Sequence, residues 1–277
     1  MSPEDSDRSR APKDQPENEE SAVDPEWWKY IFDDIYLLTD ARSICDTKLT
    51  RAETDLMERF LRTPKDAPIL DLCGGQGRHS AELARRGFTS LTTLDYSAYL
   101  LKLGKLSDGS QGVRFVRADA RCLPFRKSVY RAVAVMACSF GYFSDDDQNA
   151  ALLREACRVL SPGGTLLLDI PDGEKALKDL AESSWHDANQ DIMVLRKRKA
   201  ASGGLKVREL VISKETGLIR ESRYFEKLYS ARMIRNLVSS AGFKAVRVYR
   251  GLEKLSNQED LGFMSTRMLV TARKRAD

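Results

Sequence analysis

The segment from Ile69 to Asp95 constrains the fold of this chain more than any other. It begins with the apolar run Ile69–Leu72, which predicts a short buried strand. A turn that contains Gly75 and Gly77 follows, and a helical pattern begins at Ser80. Glycine has no Cβ and reaches positive φ, so the main chain of such a turn can contact a ligand. The segment therefore predicts a strand, a ligand-binding turn and a helix in direct succession.

An acidic residue stands at the end of the next apolar run. Leu91–Leu94 predicts a second strand, and Asp95 follows it, 18 residues after Gly77. In nucleotide-binding folds, a carboxylate about 20 residues beyond the glycine turn hydrogen-bonds the ribose hydroxyls. Asp95 is therefore the candidate ribose ligand.

The turn lacks the features that bind phosphate. Its spacing, Cys73-x-Gly75-x-Gly77, differs from the G-x-G-x-x-G of dinucleotide folds, and no Lys followed by Ser or Thr completes a P-loop. Asp71, at the start of the turn, would repel a phosphate and suit an ammonium group. S-adenosylmethionine has a ribose, an adenine and an ammonium group but no phosphate. The sequence favours this ligand over NAD, which remains the alternative for a Rossmann enzyme.

The turn resembles the first motif of class I S-adenosylmethionine-dependent methyltransferases, which usually reads D/E-x-G-x-G-x-G. Cys73 stands where that motif has its first glycine. The resemblance implies an α/β fold with a doubly wound, seven-stranded, mostly parallel sheet and a C-terminal antiparallel hairpin. It also implies that the cofactor contacts the turn and the end of the second strand. The residues concerned are Asp71, Cys73, Gly74, Gly75, Gly77, Arg78, Asp95, Tyr96 and Ser97.

Two further segments resemble the same family. The alternating run Val113–Arg117 predicts a third strand and leads into Asp119 and Ala120. In the family's adenine-binding motif, an aspartate accepts a hydrogen bond from the exocyclic amine and the next main-chain N–H meets a ring nitrogen. The resemblance implies these roles for Asp119 and Ala120. The turn Pro162-Gly163-Gly164, before a later strand, is also typical of the family.

The loop after the fourth predicted strand should face the reactive methyl group. Ala132–Ala137 is the buried run, and ligands of open α/β sheets bind at the carboxyl ends of strands. Cys138 is therefore a candidate contact of the cofactor, and Phe140 and Tyr142 are candidates to contact the acceptor. The stretches GGQGRHSAELARRGF and SFGYF look most like bacterial enzymes that methylate small molecules or peptide amines.

The flanking segments differ from this core in composition. Residues 1–23 are almost all polar and predict a disordered tail. Residues 24–62 predict helices, the first beginning at Asp24 and the second spanning Thr50–Leu61. Residues 63–277 predict the cofactor-binding domain, with an antiparallel ribbon inserted at about 185–229. By resemblance, the ribbon covers the acceptor or forms a homodimer.

In the family, N-terminal helices fold over the cofactor as a lid that contributes aromatic residues to the site. Tyr30, Phe32 and Tyr36 are the candidates here. Trp27 and Trp28 are expected only to pack the first helix against the core.

Composition excludes several other classes of protein. No apolar run reaches the roughly 20 residues of a membrane helix, and no signal segment is visible, so we expect a cytoplasmic protein without a membrane partner. Five scattered cysteines and two histidines argue against a disulfide framework or a metal site. The basic run Arg196–Lys199 would project to both faces of an alternating strand. We therefore do not expect nucleic acid as a partner, despite the net charge of +4.

Methyl transfer from a sulfonium is a displacement in which the protein supplies mainly proximity and alignment. A base is needed only where the acceptor loses a proton. His186 is the candidate base, Tyr142 and Tyr36 are candidates to orient the acceptor, and His79 is expected to be structural. We predict a methyltransferase that acts on a nitrogen or oxygen of a small molecule or peptide. The alternatives are a protein that binds S-adenosylmethionine without methyl transfer, an RNA methyltransferase and a NAD-dependent enzyme.

Overall fold

The computed structural model describes residues 22–251 and 266–276. Nearly all of the tail predicted over residues 1–23 therefore lies outside the described residues. The strands in chain order are Ile69–Leu72 (β1), Leu91–Asp95 (β2), Val113–Arg117 (β3), Tyr130–Val135 (β4), Leu160–Pro171 (β5), Ser183–Asp187 (β6), Ile192–Ala201 (β7), Gly204–Ser213 (β8), Gly217–Lys227 (β9), Phe243–Tyr249 (β10) and Arg267–Lys274 (β11). The helices are Asp34–Thr39 (α1), Ala41–Ile44 (α2), Thr47–Leu61 (α3), Arg78–Arg85 (α4), Ala98–Leu106 (α5), Asp146–Val159 (α6), Gly173–Lys178 (α7) and Ala231–Ser240 (α8).

The central sheet has seven strands in the order β10-β11-β5-β4-β1-β2-β3. Strands β1 to β5 pair in parallel, and β11 is antiparallel to both β5 and β10. The order reverses between β1 and β4, where chain crossovers leave in opposite directions and open a crevice at the strand ends. The predicted doubly wound sheet with a C-terminal antiparallel hairpin is confirmed.

Both faces of this sheet are covered by helices, which explains why its strands are continuous apolar runs. Successive residues of β4 alternate between two cores. Val133 and Val135 pack with α6 and α8 on one face. Ala132 and Ala134 pack with α3 and α4 on the other. The sheet is therefore a rigid layer that fixes the positions of the loops at its edges.

The N-terminal segment begins with a single 3-10 turn, Trp27–Lys29, and not with the α-helix predicted at Asp24. The first α-helix starts at Asp34, because the Asp33 side chain accepts a hydrogen bond from the Tyr36 N–H at 3.1 Å. Helix α3 starts three residues before the predicted Thr50. Its cap is Asp46, which accepts hydrogen bonds from the N–H groups of the second and third residues that follow it.

The inserted ribbon is a separate four-stranded antiparallel sheet in the order β6-β7-β8-β9. Its strands β7 and β8 are ten residues long, and the turn between them contains Gly203 at a φ of 74°. The insertion predicted at about 185–229 thus corresponds to Ser183–Lys227, with β6 as an additional edge strand.

A buried network of charges joins helix α3 to the sheet. The fully buried Glu53 lies 2.5 Å from Arg78, 2.8 Å from His79 and 2.6 Å from Arg267. Arg267, on β11, also contacts Asp169 of β5 at 2.7 Å. Burial alone would raise the pKa of Glu53, but Arg78, His79 and Arg267 outweigh it and hold that pKa well below its usual range. The structural role expected for His79 agrees with this position.

Replacement of Arg267 by Met should lower the free energy of unfolding by about 3–5 kcal/mol, because it leaves buried carboxylates without their partner. Urea denaturation measures this change. The control is Arg273→Met on the same strand, where the exposed guanidinium only contacts the Gly163 carbonyl at 3.3 Å and should contribute less than about 1 kcal/mol. Equal effects of the two substitutions would contradict the role of the network.

Candidate functional site

A cavity of about 880 Å³, open at its mouth, lies at the carboxyl ends of the central strands. Segments that are far apart in the chain meet there: the glycine turn after β1, the end of β2, the end of β3 and the loop after β4. The sequence-predicted residues that line it are Cys73, Gly74, Gly75, Arg78, Asp95, Tyr96, Asp119, Ala120, Phe140, Tyr142 and Tyr36.

Asp95 ties the glycine turn to the end of β2. Its Oδ2 accepts a hydrogen bond from the Gly75 N–H at 2.8 Å, and its Oδ1 accepts one from the Ser97 N–H at 2.8 Å. Burial raises the pKa of the Asp95 carboxyl above its usual value. The carboxylates of Asp95 and Asp119 line the same cavity, as the sequence predicts.

Cys73 adopts the backbone conformation of the glycine that it replaces. Its φ is 60°, in the left-handed region that favours glycine, and the following turn residues Gly75 and Gly77 have φ values of 57° and 72°. Cys73 therefore occupies a conformation that glycine favours, and the turn forms without a glycine there. Burial raises the pKa of the Cys73 thiol well above its usual value, and three nearby carboxylates act in the same direction.

Three residues predicted to contact the cofactor instead support the turn from outside the cavity. Asp71 is buried, and its Oδ2 accepts a hydrogen bond from the Ser80 hydroxyl at 3.0 Å. A Cβ added at Gly74 would lie 2.7 Å from the Asp71 carboxyl carbon, so the carboxylate sits directly behind the turn. Gly77 precedes α4, and Ser97 caps α5 by accepting a hydrogen bond from the third residue after it.

An arginine that the sequence interpretation missed pairs with Asp119, which lines the cavity. Arg121 holds both carboxylate oxygens of Asp119, with Nε 3.0 Å from Oδ1 and Nη2 2.6 Å from Oδ2. Burial would raise the pKa of Asp119, but Arg121 outweighs it and lowers that pKa. The guanidinium carbon lies 5.0 Å from the Trp28 ring centroid and 4.6 Å from that of Phe143. The only sequence signal was the position of Arg121, two residues after the acid.

The N-terminal segment covers the cavity with aromatic residues. Phe32 and Tyr36 line it as predicted, with ring centroids 4.9 Å apart, and Ile44 joins them unpredicted. Trp28, expected only to pack against the core, also lines it. Tyr30 does not belong to the site: its ring is 58% exposed and its hydroxyl donates to Asp24.

A second cavity, of about 870 Å³, adjoins the first. The two share Phe32, Tyr36, Ile44, Ala137 and Tyr142 as a common wall. Burial raises the pKa of both shared tyrosines above the ordinary value, so their hydroxyls are hydrogen-bond donors at neutral pH. Cys138, predicted as a cofactor contact, lines only this second cavity.

The ribbon supplies the outer wall of the second cavity. The residues concerned are Arg196, Arg198, Glu209, Arg220, Tyr224 and Glu226. The basic run is divided between the two faces of β7, as alternation predicts: its arginines face the cavity, whereas Lys197 and Lys199 are exposed. Homodimer formation through the ribbon and the absence of a nucleic-acid partner stay predictions.

His186 lies outside both cavities, on the edge strand β6. Its Nε2 is 3.1 Å from the Thr39 carbonyl oxygen, so the ring contacts the end of α1. The structure therefore places His186 apart from the residues that line the two cavities. A search of residues 22–251 and 266–276 finds no group of acidic, histidine and cysteine side chains that could hold a metal ion. The helices of these residues also include none with the length and apolar character needed to cross a membrane.

A family model described as "Methyltransferase domain" matches residues 69–164. A putative methyltransferase YqeM of Bacillus subtilis (strain 168) is 27% identical over 168 residues, which cover 60% of this chain and 68% of that protein. A ubiquinone/menaquinone biosynthesis C-methyltransferase UbiE of Idiomarina loihiensis is 37% identical over 106 residues, covering 36% of this chain and 41% of its own length. The chain thus spans well under half of that second relative.

Solved structures resemble the chain over most of its length. An S-adenosylmethionine-dependent methyltransferase from Clostridium acetobutylicum ATCC 824 has a TM-score of 0.67 at 16% identity and covers 87% of this chain and 96% of its own. The sugar N-methyltransferase KedS8 from Streptoalloteichus sp ATCC 53650 has a TM-score of 0.62 at 18% identity, covering 88% of this chain and 94% of its own. At such identities the likeness shows the fold.

The cysteines should differ in reactivity according to how exposed each thiol is. At pH 7.5 iodoacetamide should label the exposed Cys122 first and Cys73 at least about tenfold more slowly, because burial and three carboxylates disfavour its thiolate. Mass spectrometry of peptides from timed samples measures both rates. Labelling of Cys73 as fast as Cys122 would contradict the described surroundings of the turn.

Proposed function

We propose that this chain is a class I S-adenosylmethionine-dependent methyltransferase that methylates a nitrogen or oxygen of a small molecule or peptide. The methyltransferase domain match over residues 69–164 and the fold shared with solved S-adenosylmethionine-dependent methyltransferases support this proposal. The supporting observation is the wall of Tyr36 and Tyr142 between two adjoining cavities. The first cavity fits the cofactor, and we assign the second to the acceptor.

The residues of the first cavity fit S-adenosylmethionine in chemistry and position. We assign Asp95 to the ribose hydroxyls, and Asp119 with the Ala120 N–H to the adenine. We assign the part of the cavity lined by Gly74 and Gly75 to the methionyl group. Arg78 also lines this end, and its buried Nη2 has no hydrogen-bond partner within the described chain, so we assign it to the methionyl carboxylate.

When bound, S-adenosylmethionine supplies an electrophilic methyl group on a positively charged sulfur. The chain supplies alignment, because the acceptor in the second cavity meets this methyl group where the two cavities adjoin, beside Tyr36 and Tyr142. Tyr36 and Tyr142 donate hydrogen bonds to the acceptor, since burial keeps both phenols protonated. The aromatic residues of the N-terminal segment act as a lid that excludes water. The ribbon completes the acceptor site.

A nitrogen or oxygen acceptor agrees with the polar lining of the second cavity, where three arginines and three carboxylates face inward. The fold shared with a sugar N-methyltransferase is consistent with it. The match to a C-methyltransferase favours carbon as a second candidate, although it covers 36% of this chain.

The proposal predicts that the protein moves a labelled methyl group from S-adenosylmethionine to members of an acceptor panel of amino sugars, biogenic amines, phenols and short peptides. Mass spectrometry identifies the product and the methylated atom. A label on carbon would favour the second candidate. Cofactor binding without transfer to any of these acceptors would support a protein that binds S-adenosylmethionine without methylating.

Asp95→Ala should weaken binding of S-adenosylmethionine by about 1.5–3 kcal/mol, because it removes hydrogen bonds to a charged acceptor at the ribose and frees the turn. Isothermal titration calorimetry measures the affinity. The control is Asp66→Ala, an exposed position before β1 that lines neither cavity, which should bind as wild type does. Unchanged affinity in the Asp95 variant would mean that the ribose binds elsewhere.

A further inference from the structure

Charged side chains form much of the lining of the second cavity, although methyl transfer itself mainly requires alignment. Its charged lining residues are Asp40, Arg196, Arg198, Glu209, Arg220 and Glu226. Taking charges out of water costs free energy unless each one is paired or hydrogen-bonded. The groups left without a partner therefore indicate what the cavity binds.

Most of these groups satisfy one another. Arg196 Nε lies 2.7 Å from Glu209 Oε2, and its Nη2 lies 2.9 Å from Asp40 Oδ2. Arg198 Nη1 donates to the Ser184 hydroxyl at 2.8 Å. These contacts fix the side chains and give the cavity a rigid polar wall.

Two groups are left over at the same cavity. Glu226 Oε2 is buried and has no hydrogen-bond partner among residues 22–251 and 266–276. Arg220 uses its Nη1 for both oxygens of Asp33, at 2.8 and 2.9 Å. Its buried Nε and Nη2 have no hydrogen-bond partner among the described residues, although Nη2 lies 3.9 Å from Glu209 Oε1. Unpaired buried polar atoms are rare in native proteins. One free acceptor and two free donors thus face a common space.

Glu226 is held close to the wall that separates the two cavities. The residue after it, Lys227, donates its main-chain N–H to the Gly141 carbonyl at 2.7 Å, next to Tyr142. Tyr224, two residues before Glu226 on β9, lines the same cavity. The carboxylate therefore stands on a strand that is hydrogen-bonded directly to the loop beside the proposed methyl position.

Burial raises the pKa of Glu226 to about 7. Arg198 and Arg196 oppose this rise, and Asp40 and Glu209 add to it. The other titratable or charged groups that line the cavity are Tyr36, Cys138, Tyr142, Arg220 and Tyr224. A carboxyl group with a pKa near 7 can both accept and release a proton at neutral pH.

We propose that the acceptor is an amine that also carries an oxygen-bearing group, that Glu226 accepts the proton of its ammonium form, and that Arg220 binds the oxygen. This inference rests on the proposed function and names the acceptor class of the same site. The aromatic rings of Trp27, Tyr36 and Tyr142 suit a cation beside the carboxylate.

The proton and electron pairs balance in this step. The ammonium gives its proton to the Glu226 carboxylate, and the freed lone pair on nitrogen forms a bond to the methyl carbon. The bond between carbon and sulfur breaks, and its electron pair stays on sulfur as the positive charge there is lost. The product is a methylated ammonium, and Glu226 releases its proton to solvent after the product leaves.

An amine fits this base better than an alcohol does. A carboxylate with a pKa near 7 can take a proton from an ammonium group, whose pKa is about 8 to 10.4. Deprotonating a neutral hydroxyl would move the negative charge of Glu226 onto the acceptor oxygen, which has a far higher proton affinity than a carboxylate and would lie in the cavity that Asp40 and Glu209 also line. An ammonium group instead becomes neutral when it gives its proton to Glu226, and Glu226 becomes neutral in the same step.

The test compares Glu226→Gln with Glu221→Gln, an exposed residue of the same strand whose partners are Arg208 and Arg223 at the surface. The probes are glucosamine and histamine as amines, with p-cresol as the hydroxyl acceptor, and labelled S-adenosylmethionine. Glu226→Gln should lower kcat with the amine that wild type prefers by about 10²–10⁴-fold. Its affinity for S-adenosylmethionine should stay within about twofold of wild type, and Glu221→Gln should match wild type in both.

The pH profile separates proton transfer from a merely structural role. In wild type kcat/KM should rise through about pH 7 and then level, because the reaction needs ionised Glu226. In Glu226→Gln the rate should continue to rise up to the pKa of the amine itself, since only the neutral amine can react. Arg220→Lys should raise KM for glucosamine more than for histamine, which has no oxygen.

If wild type methylates an amine and Glu226→Gln does so with the same kcat and the same pH profile, this inference is overturned. The proposed function would still stand. Transfer to p-cresol but to neither amine would also overturn this inference. Transfer to no acceptor of the wider panel would remove the proposed function and this inference with it. Infrared difference spectra of wild type against Glu226→Gln give a second readout, and the absence of a carboxyl group titrating between pH 6 and 8 would count against the base.

Discussion

The hydrogen bonds between Asp95 and the main chain of the glycine turn hold the first cavity together. The N–H of Gly75 is bonded to the carboxylate at 2.8 Å, so the turn after β1 is fixed relative to the end of β2. Asp71 lies behind the turn and occupies the space where a side chain at Gly74 would project. These contacts require a backbone with positive φ, and Cys73 adopts it at 60° without a glycine. The cavity therefore depends on main-chain geometry more than on the identity of every motif residue.

The sheet positions the first cavity, which we propose holds the cofactor, whereas the additions to the sheet line the second cavity, which we propose holds the acceptor. The first cavity draws on loops of the central strands, which similar folds share. The second draws on the N-terminal segment and the ribbon, including Arg196, Glu209, Arg220 and Glu226. Buried ion pairs keep this wall in one arrangement, at a cost in desolvation that only a polar ligand would justify. On the proposed function, selectivity for the acceptor therefore depends largely on segments outside the methyltransferase domain match.

The sequence predicted the parts of the molecule in which one physical constraint dominates. Strands such as β4 are buried on both faces, so their apolar runs are visible without any knowledge of their partners. Asp95 was found because it follows such a run, and Asp119 because it follows the alternating run Val113–Arg117. In the ribbon, alternation shows that two faces exist, but the pairing with neighbouring strands decides which face is inside. Glu226 could not be identified for that reason, and His186 was chosen by its chemistry alone although its ring contacts Thr39.

A crystal structure with bound S-adenosylhomocysteine tests the central claim most directly, because the claim concerns where two ligands meet. The account predicts the ribose at Asp95, the adenine at Asp119 and the sulfur directed at the wall formed by Tyr36 and Tyr142, toward the ribbon. An adenosyl group bound outside this cavity, or a sulfur directed away from that wall, would contradict it.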